Sequence, residues 1–169
     1  MNNTVRIAFS ILLVAGVAAC KKKVVKDPPP STDTTSTETH SMDNAGRYTR
    51  DSLDTDSCLR QRVVYFDLDQ TVIKPEFQAQ IACHAAFLRQ FPEARVRLEG
   101  NADERGSREY NLGLGERRGN AVQSALTSAG ASSGQLNVVS YGEERAVCRE
   151  HGEPCWGKNR RVEIVYTSN

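Results

Sequence analysis

The stretch LEGNADERGSREYNLGLGERRGNAV, Leu98–Val122, decides the fold because its hydrophobic period changes partway along. Up to the first glycine the chain alternates: in ARVRLEGNA, Val96 and Leu98 share one face, the signature of a strand. A short polar loop follows. Ser107 then stands where a helix N-cap belongs, and Leu112, Gly115, Gly119, Val122 and Leu126 recur at helical spacing. Gly130 fits the C-terminal cap. Glycines within the stripe weaken a helix, but they permit close approach to a neighbouring element.

Working outward, VVYFDL from Val63 alternates as a strand, with Val64, Phe66 and Leu68 on one face. KPEFQAQIACHAAFLRQFP places Pro75 in a first turn and spaces Phe77, Ile81, Ala85 and Leu88 for a helix. QLNVVSYG and RRVEIVYTS supply two further strands. The order β-α-β-α-β-β predicts an α/β fold, an α+β sandwich with its helices packed on a mixed sheet, over residues 58–169.

The N-terminal part has another character. Arg6 precedes the apolar run IAFSILLVAGVAA, which stops at Cys20 and the basic run KKKVVK. The run has the proportions of a signal peptide, residues 1–19, rather than of a membrane span. Ala18 and Ala19 before Cys20 are similar to a bacterial lipobox, in which the cysteine becomes an acylated N-terminus; Val17 replaces the usual leucine. Residues 20–57 are expected as a lipidated N-terminus and disordered linker, since KDPPPSTDTTSTETHS is almost free of large apolar side chains. As a flexible coil, about 37 residues span roughly 30–35 Å.

Export would place the remaining cysteines in an oxidising compartment. Four cysteines allow three connectivities. Cys148 and Cys155 flank REHGEP, which suits a tight loop, leaving Cys58 for Cys83. The alternative is a zinc site from Cys148, His151 and Cys155, whose spacing matches no common knuckle.

A formal charge of +1 over 169 residues gives no global field for nucleic acid. VVYFDLDQT poses an enzymatic alternative, because an apolar strand ending in Asp67-x-Asp69 is how haloacid-dehalogenase-like phosphatases open their site. That chemistry needs a downstream lysine and further acids for Mg²⁺. Lys74 is too near, and Lys158 is followed by the single acid Glu163. Polar strand-end residues entering a turn are the simpler reading. No catalytic constellation and no cofactor are called for.

The densest polar chemistry lies in the opening stretch. Asp103 sits in the loop, with Arg105 and Gly106 beyond it, while Arg117 and Arg118 lie about three turns into the helix. A loop carboxylate facing a guanidinium suits a zwitterionic amino-acid ligand: the carboxylate takes its ammonium and the guanidinium its carboxylate. A purely structural ion pair is the alternative.

VVYFDLDQTVIKPEF, LEGNADERGSREYNLGLGERRGNAV, VVSYGEER and KNRRVEIVY together resemble the outer-membrane-protein-A-like family, in its branch of peptidoglycan-associated lipoproteins. The resemblance covers nearly all of residues 58–169, against nine residues for the phosphatase pattern. It implies a non-enzymatic protein that binds the peptidoglycan stem peptide through its meso-diaminopimelate residue. It further implies a lipid anchor in the outer membrane, which Lys21 after Cys20 favours, and a periplasmic partner of the Tol system. By the same resemblance Asp103 of ADERG and Arg118 of LGERRGNAV are ligand-binding residues, joined by Asn111 and Arg160. Asn101 stands where the family usually has His or Thr, and keeps hydrogen-bonding capacity. Truncating Asp103 or Arg118 is expected to abolish binding and leave the fold intact.

Acylation of Cys20 is directly testable, because two or three acyl chains hold a protein stably on a membrane where one does not. Cys20→Ser should move the protein out of the membrane fraction. A variant that stays there would remove the lipoprotein reading.

Overall fold

The computed structural model describes residues 48–168. A four-stranded sheet has the order β1-β4-β2-β3. Its strands are β1 (Val63–Tyr65), β2 (Arg95–Asn101), β3 (Leu136–Gly142) and β4 (Arg161–Ser168). β2 and β3 run parallel, as the long crossover helix between them requires, while β4 is antiparallel to both β1 and β2. The sheet is therefore mixed, as expected. The two long helices are α2 (Gln78–Gln90) and α3 (Arg108–Ser128). There are two short helices, α1 (Ser52–Thr55) near the start and α4 (Glu153–Asn159), which begins within the Cys148–Cys155 loop and runs past it.

The core lies between one face of the sheet and the two long helices. Val64, Val96, Leu98, Val162 and Ile164 meet Ile81, Ala85, Leu88, Val122 and Leu126 there, all buried. The helical stripe of α3 differs from expectation at one place: Leu114 is buried and Leu112 is only half-buried. The expected close approach is real. A Cβ on Gly100 of β2 would lie 1.9 Å from the carbonyl oxygen of Gly115 in α3, so backbone rests on backbone. The sheet's other face carries ion pairs, with Glu99 held by Arg97 at 2.6 Å and by Arg145 at 3.1 Å.

Capping follows the sequence. The Ser107 hydroxyl accepts from the Tyr110 N–H at 3.1 Å, and Gly130 turns the chain out of α3 at φ 104°. Strand β1 is shorter than the alternation predicts. Gln70 N–H donates to the Asp67 carbonyl and Asp69 has φ 56°, so the chain turns after Phe66 and leaves Leu68 53% exposed.

The packed unit begins ahead of the expected boundary at residue 58. Leu53 and Leu59 are buried, and the Tyr48 ring lies 5.9 Å from that of Phe87. Gln90 accepts the Tyr48 N–H at 2.7 Å. Tyr48 and Leu53, with Leu59 just beyond, suffice to seat residues 48–57 on the core, although the surrounding composition is polar. The expected disulfides Cys58–Cys83 and Cys148–Cys155 are both present. The second replaces the zinc alternative, since both of its cysteines are consumed and His151 instead bonds Glu104.

Among the described residues His84 is the one wholly buried imidazole, placed between α2 and β4. Its Nε2–H donates to the Gln61 carbonyl at 3.0 Å, so Nδ1 accepts from the Tyr166 hydroxyl at 2.9 Å. Burial lowers its pKa from 6.5 to about 4. The unfolded chain thus takes a proton near pH 6.5 while the folded one refuses it. The stability His84 contributes is full above that pH and is withdrawn as pH falls toward 4, a span of about 3 kcal/mol. Urea midpoints should drop across this window in the wild type, and His84→Gln should flatten the profile between about pH 5 and 6.5. Identical slopes in the two proteins would place the titrating group elsewhere.

Candidate functional site

The parallel β2–α3–β3 crossover leaves a loop, residues 102–107, at the carboxyl end of β2. This loop, the turn after β1 and the first turns of α3 close round a small pocket. Asp103, Arg118, Asn111 and Arg160 all line it, so four of the five expected residues converge. Leu68, Asp69, Arg105, Tyr110 and Leu114 complete the wall. Asn101 is not in it. Its side chain donates to the Glu99 carbonyl at 2.9 Å, its Oδ1 has no partner among the described residues, and its own carbonyl accepts from Arg118.

Arg118 holds the site together. It is 0% exposed, and its guanidinium donates to the carbonyls of Gln70 (2.9 Å), Asn101 (2.9 Å) and Asp67 (3.1 Å). Two segments, the turn after β1 and the end of β2, thus converge on one side chain from α3, which also lies 5.4 Å from the Phe66 ring centre. Burial, followed by the like charge of Arg160, lowers its pKa to about 10. The guanidinium still carries its charge at neutral pH.

Asp103 is 4% exposed and densely bonded. Its Oδ1 accepts the backbone N–H and Nε of Arg105, each at 3.1 Å. Its Oδ2 accepts Arg105 Nη2 at 2.7 Å and Arg160 Nη1 at 3.2 Å. Burial alone would raise its pKa; the donors of Arg105 and Arg160 outweigh that and hold the carboxyl below its usual range. Arg160 is fixed in turn by donating to the Phe66 carbonyl at 3.0 Å and to Glu153. Asn111 donates to Glu143.

Chemically, the pocket presents three guanidiniums and two carboxylates. A net positive lining of this kind invites an anionic group beside a carboxylate able to take a cation, which fits one end of an amino acid. Asp67 and Asp69, the phosphatase alternative, have other duties. Asp67 pairs with Lys74 at 2.7 Å, and Asp69 accepts the Tyr110 hydroxyl at the pocket wall. Among the described residues no cluster of His, Cys, Asp and Glu is arranged to hold a metal ion.

Sequence reasoning missed the shell on the loop side. Trp156, the chain's single tryptophan, lies under Arg105 with the guanidinium 4.2 Å from its ring centre, and its Nε1–H donates to Glu104 at 2.8 Å. The one available signal was a lone tryptophan directly after a disulfide cysteine. Leu68 and Asp69 were missed because β1 was drawn too long.

The fold and pocket together define a single-sheet α/β domain with a charged pocket at one end of its crossover helix, and its relatives agree. The OmpA family model matches residues 65–160, more than half of the chain, and the chain belongs to the OmpA family. It is 48% identical over 114 residues to the peptidoglycan-associated lipoprotein of Pseudomonas putida, spanning 67% of this chain and 68% of that protein. It is 44% identical over 107 residues to the protein of the same name from Pasteurella multocida, 63% and 71% of the two chains. The crystal structure of the peptidoglycan-associated lipoprotein from Burkholderia pseudomallei superposes with a TM-score of 0.67 at 40% identity, covering 69% of this chain and 98% of that one. The OmpA family is not a family of enzymes, which disposes of the phosphatase alternative.

Because Arg118 satisfies three carbonyls, its removal should weaken the fold as well as the pocket, where the sequence alone predicts an intact fold. Arg118→Ala should cost about 3 kcal/mol or more, a fall in Tm of roughly 10 °C for a domain of this size. Thermal unfolding followed by circular dichroism measures it. An unchanged Tm would mean that the three carbonyls find other donors.

Proposed function

We propose that this protein is an outer-membrane lipoprotein whose folded domain binds peptidoglycan without a covalent bond. The diaminopimelate of the stem peptide enters the Asp103 pocket. Its ammonium goes to Asp103, and its carboxylate to the guanidiniums of Arg118 and Arg160. The observation that carries this reading is the buried Asp103 carboxylate set among three arginines in the loop between β2 and α3. The names of the relatives support the same ligand class. Asn111 orients the rim through Glu143, and Asn101 supports Arg118 from behind.

The anchor is Cys20, acylated after removal of residues 1–19, which places the domain at the periplasmic face of the outer membrane. Both features lie outside the described residues. Among the described residues no helix is long and apolar enough to cross a membrane. The domain proper extends from about Tyr48 to the C-terminal strand, and the protein works with a periplasmic partner of the Tol system.

Sedimentation of the full chain with insoluble peptidoglycan tests the pocket. Asp103→Asn keeps the shape and removes the charge that the ligand's ammonium needs. Loss of one member of a buried charged contact costs about 2–5 kcal/mol, roughly 30-fold to several thousand-fold in affinity. Asp103→Asn should therefore remain in the supernatant, and free diaminopimelate should release the wild type. A folded Asp103→Asn that sediments like wild type would show that the pocket lies elsewhere.

A further inference from the structure

The carboxylate that the ligand needs is already full. A carboxylate has about four lone-pair sites, and Asp103 uses them on four N–H donors: the backbone and two side-chain nitrogens of Arg105, and Arg160 Nη1. The pocket beside it holds about 30 Å³, space on the scale of water rather than of an amino-acid head group. At Asp103 an incoming ammonium therefore has neither a free acceptor nor room until a donor leaves.

Only one donor is free to go. Arg160 is 6% exposed at its side chain, with its other nitrogens on the Phe66 carbonyl and Glu153. The Arg105 backbone N–H belongs to the loop. The Arg105 side chain is 32% exposed and has no backbone carbonyl in its grasp. A second seat is at hand: its guanidinium already lies on the Trp156 ring, 3.6 Å from Glu153, with Glu104 on the indole edge.

We propose that Arg105 is a specificity-determining residue, an internal cation that occupies Asp103 in the free protein and yields it to the ligand's ammonium. It swings over Trp156 toward Glu153 and Glu104, so that its charge stays paired. This rests on the pocket being the diaminopimelate site, and concerns what the ligand must displace to enter. A ligand without a cation at that position has nothing to exchange for the guanidinium and does not open the pocket. The closed state lowers the apparent affinity by the fraction of molecules in which Asp103 is free.

The test titrates meso-diaminopimelate into the purified full chain in detergent, by calorimetry and by fluorescence of Trp156, the chain's single tryptophan. Arg105→Gln removes the competing charge and should bind roughly three- to tenfold more tightly. The wild-type emission should shift on binding, because the guanidinium moves across the indole, and the Arg105→Gln emission should shift much less. In the wild type, the Arg105 Nε–H should be protected from solvent exchange without ligand and exchange faster with it. Equal or weaker binding by a folded Arg105→Gln, or an Arg105 Nε–H equally protected in both states, overturns the inference and leaves the pocket standing. Failure of the folded wild type to bind diaminopimelate overturns the reading of the pocket and this inference with it.

Discussion

A guanidinium buried away from water has to be satisfied by the protein, and Arg118 is satisfied by backbone alone. Its three carbonyl partners come from the turn after β1 and from the end of β2, while the side chain itself comes from α3. One residue thereby sets the distance between sheet and helix at the end where the pocket forms. The Gly100–Gly115 contact permits the close approach, and Arg118 exploits it. A longer separation would strand the arginine's charge, and a bulkier residue at position 100 would force that separation. Packing and polar satisfaction specify the same geometry here, as expected of a sequence without internal conflict.

The charges around Asp103 follow from that geometry. Arg118 supplies positive potential from below, Arg160 from the C-terminal cap of α4 just ahead of β4, and Arg105 from the loop. An isolated buried carboxylate would be strongly disfavoured as an ion. Two arginines on its oxygens reverse that preference and keep it anionic. The same ions that hold the Asp103 carboxylate define what a visitor has to offer. A cation that reaches Asp103 would have to exchange partners with a guanidinium rather than simply add to the site.

Much of this was legible in the sequence because it depends on local pattern. The change of period within Leu98–Val122, the Ser107 cap and the Gly130 exit were each visible in short windows, and each is realised. Four pocket residues were placed through family resemblance; spacing alone could not separate a site from a structural ion pair. What was not legible depends on distance along the chain. Arg118's carbonyl partners lie up to about fifty residues away, and Trp156 reaches Arg105 across a similar gap. The early start of the domain was hidden because Tyr48, Leu53 and Leu59 are too sparse to show a period.

The Cys58–Cys83 crosslink also determines where a mechanical load would travel. A pull on the chain before Tyr48 first meets residues 48–57, which are held by hydrogen bonds to Gln90 and the burial of Leu53 and could peel away. At Cys58 the force passes through the sulfur bridge into the middle of α2. The intervening residues, β1 and the turn that feeds Arg118 two of its three carbonyls, fall outside the load path. Tension on the N-terminal side would thus be borne by a helix anchored in the core, while the short edge strand that helps build the pocket stays slack.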